Sequence, residues 1–323
     1  MSDNHLYQLA KRGKWICPSC GKKTFVCYVD ANGNVLNEEV GKCDRADKCA
    51  YHYPPREYFA DNNIVFEAKQ QRRQRTTPKP QLKPSYIDSE IFKQSVTATR
   101  SHRNNLIDYL NGVFGIDLTN QMVADYYIGT SNHWYGSTVF WQVDRFGHVR
   151  GGKIMQYNPT TGKRVKEPSS RITWVHTAMK MADYNLSQCL FGEHLLRLDP
   201  NMTVAIVESE KTAIIASAIF GDCIMVACGG LGNLNAKMCE PLRGRDVVLF
   251  PDNGCFEKWA TKGKKLKYLF RRLRIADIME REANCAGDDI GDLIVAHYQE
   301  WCSNLDYCAP DGSISLDLGL HEL

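Results

Sequence analysis

No run of about 18 apolar residues occurs in this 323-residue chain, so a membrane-spanning helix is not expected. The N-terminus lacks a basic stretch followed by an apolar one, so no secretory signal is expected either, and the location implied is cytoplasmic. Acid is missing from one long segment. From Ala68 to Ser85 ("AKQQRRQRTTPKPQLKPS") there are six Lys or Arg and no Asp or Glu, against a net charge of +3 for the whole protein. The remainder is therefore slightly acidic, and the basic character is local. That segment also lacks aromatic residues and carries Pro78, Pro80 and Pro84. Its composition is that of a solvated tether or of an arm that contacts phosphates. Hydrophobic content of 43% and charge of 24% are globular values, so disorder is not the default.

A disulfide framework is also missing, although there are thirteen cysteines. Cys223, Cys228 and Cys302 sit singly in apolar or mixed sequence and read as buried thiols of a reducing compartment. Cys17, Cys20, Cys43 and Cys49 lie in polar, turn-rich sequence and belong together. "WICPSCGKKTFVCYVDANGNVL" reads as a cysteine turn, a strand, a hairpin turn at Asn32-Gly33 and a return strand, and "VGKCDRADKCAYHY" supplies a second pair. Two cysteine pairs facing each other across a hairpin form a zinc ribbon, in which the metal replaces a core too small to hold the module. The second pair is spaced by five residues rather than two, which leaves His52 or Cys27 open as a substitute ligand.

The organisation expected is a zinc ribbon over 1–67, a basic flexible linker over 68–85, a basic α+β subdomain over 86–200 and an α/β domain over 201–323. "RSHRNNLIDYLNGVFG" suggests a helix. "STVFWQVD", "HVRGGKIMQYN" and "RITWVH" suggest strands, with a turn at Arg145-Phe146-Gly147. Between Arg145 and Arg171 there are seven Lys or Arg and one acid, Glu167, interleaved with Trp141, Tyr157 and Trp174. Such mixing suits a surface that holds phosphates and stacks bases, although basic hairpins are also common on plain solvated faces.

From Thr203 the pattern alternates. "TVAIV", "CIMVAC", "DVVLF" and "RIADIM" read as strands. "EKTAIIASAIF", "NLNAKMCEPL", "FEKWATKGKKLKYLFRRL" and "GDLIVAHYQEW" read as helices. The result is a mostly parallel, Rossmann-like α/β sheet. Ligands of such sheets bind beyond the carboxyl ends of the strands, and the acids fall there: Glu208 after the first strand, Asp252 after "DVVLF", and Asp288, Asp289 and Asp292 after "RIADIM". Converging carboxylates repel one another unless a cation sits between them, which points to Mg²⁺ or Mn²⁺ and to phosphoryl or nucleotidyl transfer. Acids at helix starts also serve as caps, the competing role for Asp292 above all. Glu210 reads as a helix-start acid facing away, and Lys211 as a phosphate partner or an exposed side chain. Gly229 and Gly230 lack the full dinucleotide spacing and fit close backbone approach to a phosphate better.

"VAIVESEKTA", "VACGG" and "VVLFPDNG" resemble the motifs of a Toprim domain, the catalytic core shared by bacterial DnaG-type primases and topoisomerases. "STVFWQVDRFGHVRGGKI" is similar to the strand, D-x-x-G turn and strand of the primase core, and "CLFGEHLL" sits where that family has an LYG-like stretch. "CPSCGKKTFVCYVD" with "GKCDRADKC" resembles the primase zinc-binding domain. In this order the pieces resemble compact primase-like proteins carried on mobile elements. The resemblance makes Glu208 the Toprim glutamate, Asp252 the first Asp of D-x-D, and Asp288, Asp289 and Asp292 the later acidic cluster, with Glu208, Asp252 and Asp288 on magnesium. It implies a DNA primase making short RNA on single-stranded DNA from nucleoside triphosphates. Arg150, Lys153, Lys163, Arg164, Lys166, Lys211, Gly229 and Gly230 would hold template or triphosphate. Gly254 stands in place of the second Asp. No helicase-docking domain is expected after the last helix, so a replicative helicase would act in trans. The alternatives are a Toprim protein that only binds single-stranded nucleic acid, and a Toprim nuclease.

Overall fold

The computed structural model describes residues 7–45, 49–62, 64, 83–282, 285, 287–303 and 317–323. The chain divides into two units, Met1–Pro80 and Gln81–Leu323. Residues 68–82 of the expected basic linker lie outside the described residues. Its last residues do not behave as a tether: Ser85 exchanges hydrogen bonds with Asn185 through its backbone N–H and its Oγ, at 3.0 Å each.

The first unit is a four-stranded antiparallel sheet in the order β1-β2-β3-β4, with β1 at Gln8–Leu9, β2 at Phe25–Val29, β3 at Gly41–Cys43 and β4 at His52–Tyr53. Helix α1 (Pro55–Asp61) follows, opened by a proline whose missing N–H costs nothing there. The turn after β2 forms at Asn32-Gly33, where Asp30 Oδ1 accepts the N–H groups of Asn32 and Asn34. The strand that pairs with β2 lies further on than expected: Val35 makes only an isolated bridge to Val29, and β3 is the partner. The core comprises Cys17, Phe25, Cys27 and Cys43, with Trp15 and Tyr51 against it, too little to hold the unit unaided.

In the second unit, α2 (Ser89–Ala98) starts on Asp88, whose carboxylate accepts the Glu90 N–H. Asn104 caps α3 (Asn105–Phe114), and α4 (Ile116–Asp125) follows after Gly115. The expected helix is thus α3, and α2 and α4 are additional. An antiparallel sheet β5-β6-β7-β8 comes next, made of β5 (Gly129–Ser131), β6 (Ser137–Val143), β7 (Val149–Met155) and β8 (Ile172–Trp174), with α5 (Val175–Ala178) directly after it. Between β6 and β7, Asp144 Oδ1 accepts the N–H groups of Phe146 and His148 at 2.9 Å each, and Gly147 takes the left-handed conformation the turn requires. β6 is buried throughout because both faces are covered. Val139, Trp141 and Val143 pack beneath Ile91 and Phe92 of α2, and Phe140 packs into a second core.

The remaining elements are β9 (Thr203–Val207), α6 (Glu210–Ser217), β10 (Cys223–Ala227), α7 (Ala236–Cys239), β11 (Asp246–Leu249), α8 (Phe256–Leu266), β12 (Arg272–Ala276), α9 (Ile278–Glu282), α10 (Ile290–Ser303) and β13 (Leu320–Glu322). The sheet order is β10-β9-β11-β12-β13. Four strands are parallel, as expected, and β13 adds an antiparallel edge that strand counting missed. Helix α8 is shorter than its pattern: it stops at Leu266, and Arg272 and Leu273 already belong to β12. Ile278 and Met279 of "RIADIM" belong to α9. One core carries Leu106 and Leu110 of α3, Phe140 of β6, Ile214 of α6 and Ile294 of α10. Residues on both sides of position 200 therefore share one interior. The opposite face of the sheet packs Trp259, Leu266, Met238 and Leu242. Among the described residues, no helix is long and apolar enough to cross a membrane.

Candidate metal centre and carboxylate rim

In the first unit the Sγ atoms of Cys17, Cys20, Cys43 and Cys49 all lie within 4.8 Å of one another, with Cys17 and Cys49 at 3.7 Å. A tetrahedral ion with Zn–S near 2.3 Å separates its sulfurs by about 3.8 Å, so the donor set fits zinc. The local backbone prepares the thiols: the Lys22 N–H pulls Cys20 down to about 6, and the Thr24 hydroxyl lowers Cys43. Burial pushes Cys17 up to about 11. The five-residue spacing of the second pair is accommodated without a substitute. Cys27 faces the Glu38 carbonyl, and His52 Nε2 pairs with the Tyr28 hydroxyl.

In the second unit Glu208 and Asp252 leave the carboxyl ends of β9 and β11, which are neighbouring parallel strands in register at Ile206 and Leu249. Asp289 caps α10, accepting the Gly291 N–H at 2.8 Å and the Asp292 N–H at 3.1 Å, while Asp292 Oδ2 accepts the Asp289 N–H in return. Burial, then the Glu208, Asp289 and Asp292 carboxylates, push Asp252 up to about 8. Burial first and Asp292 second also raise Asp289. Four of the five predicted acids thus act on one another. The fifth, Asp288, turns inward to its own loop: its Oδ2 accepts the Cys285 N–H, and its carbonyl accepts the Asn253 N–H, at 2.9 Å each. Asp288 ties the Asp252 turn to the start of α10.

Among the described residues, only the four cysteines bring three or more ligand atoms within 4.8 Å. No three of the acids come that close. That suits Mg²⁺ or Mn²⁺, which keep several waters and take one or two carboxylates together with substrate phosphates. The donor set is all oxygen, as those ions prefer.

Two family models match the chain: residues 5–64 match a zinc beta-ribbon finger, and residues 104–253 match a domain of unknown function, DUF6371. No curated protein matches it. Its neighbours among solved structures are primases. The chain is similar to the primase fragment of the bacteriophage T7 primase-helicase protein, with 14% identity, 90% of this chain and 96% of that one covered, and a TM-score of 0.38. It is similar to the Aquifex aeolicus primase zinc-binding and RNA polymerase domains, with 13% identity, 90% and 77% covered, and a TM-score of 0.37. It is also similar to the RNA polymerase domain of Mycobacterium tuberculosis primase DnaG, with 13% identity, 65% and 79% covered, and a TM-score of 0.42.

The basic residues divide into two groups. Lys163, Arg164 and Lys166 are exposed on the hairpin after β7. Arg150 is bound to Asp144 at 2.7 Å and lies over Tyr86, and Lys153 is buried against Glu210. Glu210 does not face away: it is 3% exposed and holds the Lys153 ammonium beside Gly229. Lys211 stands 3.5 Å from Asp292. Gly229 is left-handed, and a side chain there would meet Lys153 Nζ at 3.1 Å. Its N–H closes on the Glu208 carbonyl at 2.8 Å, and Gly230 follows in the same turn. Trp141 and Tyr157, expected to stack bases, are 1% and 5% exposed and belong to the cores.

Three residues of this rim escaped sequence inspection. Thr212 donates to Asp289 Oδ2 at 2.6 Å and fixes its carboxylate. Glu280 of α9 accepts the Gly254 and Phe256 N–H groups at 2.9 and 3.3 Å, capping α8. Asp277 follows the end of β12 and is held by Arg281 and His321. The strand-end rule would have found Asp277 had β12 been ended at Ala276.

Proposed function

We propose that the protein is a primase-like nucleotidyltransferase that joins ribonucleotides on single-stranded DNA. The supporting observation is the convergence of Glu208 and Asp252, from neighbouring parallel strand ends, with Asp289 and Asp292 at the start of α10, where burial first and the neighbouring carboxylates second push Asp252 up to about 8. Glu208, Asp252, Asp289 and Asp292 would hold Mg²⁺ or Mn²⁺, which supplies charge neutralisation at the phosphates during transfer. Asp288 and Thr212 position that set. Lys211 stands ready to exchange Asp292 for a phosphate. The exposed Lys163, Arg164 and Lys166 hold template or triphosphate, and the Gly229-Gly230 turn lets backbone approach it. The bond formed is between a ribose 3′-oxygen and an α-phosphorus, and pyrophosphate leaves. A helicase acting in trans and a cytoplasmic location accompany this reading.

The test is ribonucleotide incorporation on a single-stranded template with Mg²⁺ or Mn²⁺. Asp252→Asn is expected to lower the rate by about 100-fold or more. Unchanged activity in that variant sinks the assignment. Binding of single strands that needs no Mg²⁺ and survives Glu208→Ala, with no synthesis, identifies a non-catalytic binder. Consumption of DNA identifies a nuclease.

A further inference from the structure

Helix α8 carries a row of charge that the carboxylate rim does not use. Its buried side is Trp259, Ala260, Gly263 and Leu266. At 100° per residue, Lys258 and Lys265 lie on the opposite side, Lys264 lies about 100° round from Lys265 on the same exposed half, and Lys267 lies beyond the end of the helix, in the 3-10 turn that follows it. All four are exposed, and among the described residues none has an ion-pair partner. Lys262, on the other flank, is spent on the Leu231 carbonyl. The acids near the far end are already matched, Asp246 by Arg271 and Glu322 by Arg272. Glu257, the acid on α8 itself, lies on the same exposed face, about 20° round from Lys264 and two turns before it, so Lys258, Lys264 and Lys265 face one carboxylate there. The face keeps a surplus of positive charge, which Lys267 extends just beyond the helix end.

The row also has a direction. α8 begins at Phe256, four residues after Asp252, and runs away from the rim. Lys258 and Lys265 are separated by about 10 Å along the axis, roughly the rise of three base pairs. No large apolar side chain is exposed within α8: Trp259 and Leu266 are buried and Phe256 is half-buried, which disfavours insertion into a membrane surface. Stacking platforms are equally scarce, since Tyr268 is exposed only beyond the last turn. Single strands are held by charge and aromatic stacking together. A row of charge without stacking suits a partner whose bases are already stacked on each other and whose phosphates are at fixed spacing.

We propose that the exposed face of α8 is a docking surface for the phosphate backbone of a nucleic-acid duplex leaving the carboxylate rim. The duplex is the template–product hybrid, which rests on the primer-synthesis reading above. The protein carrying Asp252→Asn, which slows synthesis by about 100-fold or more, is titrated by fluorescence anisotropy with a preformed RNA–DNA hybrid and with a single strand of equal length over a range of salt, in the absence of nucleoside triphosphates. Replacing Lys258, Lys264, Lys265 and Lys267 together by Gln is expected to weaken hybrid binding by about tenfold or more and to reduce the slope of log K against log salt by about 3.6. Single-strand binding should change less than about twofold, because its stacking contribution lies elsewhere. Should the fourfold variant not fold, Lys258→Gln with Lys265→Gln should still remove about 2 from the slope. An unchanged slope, an equal loss for the single strand, or binding of anionic vesicles in place of the hybrid overturns the proposal. Hybrid binding through α8 by a protein that incorporates no ribonucleotide with Asp252 intact overturns primer synthesis and leaves the surface standing.

Discussion

The cysteine tetrad and the carboxylate rim both gather like-charged ligands, and they do so in opposite ways. The tetrad draws its sulfurs from two short segments and closes them to metal-sharing distance. The rim draws its acids from β9, β11 and α10, no three of them as close as the sulfurs, on a scaffold with Trp259, Ile214 and Leu106 fully buried in its cores. In the first unit the ion takes the place of a core. In the second, the core imposes the crowding that an ion would relieve. A ligand substitution should therefore destabilise the one and relax the other.

The largest effect belongs to the tetrad. Cys43→Ser, or zinc removal by a chelator, is expected to unfold the ribbon, because most of the order of 10 kcal/mol of metal-binding free energy is folding free energy there. Zinc content together with hydrogen exchange over residues 7–62 reads the outcome, and a ribbon that stays protected without zinc would refute the assignment. Asp252→Asn has the reverse sign: above pH 8, where the wild-type carboxyl must ionise beside Glu208 and Asp289, the metal-free variant should melt higher than the wild type.

Acid tests the second unit independently of metal. His194 is 3% exposed, its Nε2–H donates to the Asp125 carbonyl at 2.8 Å, and its ring stacks on Tyr127. Nδ1 is buried without a partner among the described residues, so a second proton has nothing to bond. Burial holds His194 down at about 4. With the folded value below the unfolded one, the stability it contributes is complete above about 6.5 and is lost as pH falls toward 4, about 3 kcal/mol in all. Denaturant unfolding between pH 7 and 4 measures that loss, and His194→Gln should flatten it.

Legibility followed how local each feature is. Alternation in "TVAIV" and "DVVLF" depends on nearest neighbours, and both strands and their acids stand where the pattern put them. The tetrad was legible for the same reason. Trp141, Tyr157 and Glu210 were misjudged because their surroundings come from α2, α3 and β7, far away in sequence. β13 was missed because three residues beside an edge carry no period. Thr212 and Glu280 act through hydrogen bonds to Asp289 and to Gly254, 77 and 26 residues away, and no spacing rule reaches that far.

Gly254 offers the smallest and most discriminating change. It is left-handed with φ +78, its position is exposed, and a Cβ there meets nothing within 4 Å, so space does not exclude the aspartate that a D-x-D would have. Backbone does oppose it, at about 1–2 kcal/mol for a residue with a side chain, and so does charge, because Glu280 already accepts the Gly254 N–H. Gly254→Asp is therefore expected to lower stability by about 1–2 kcal/mol, a few degrees in Tm, and to leave the Mg²⁺ requirement for ribonucleotide incorporation where it was. A fall in the Mg²⁺ concentration needed would show instead that the rim is short of one carboxylate, and that the spacing of its acids is a deficit and not a design for waters and phosphates.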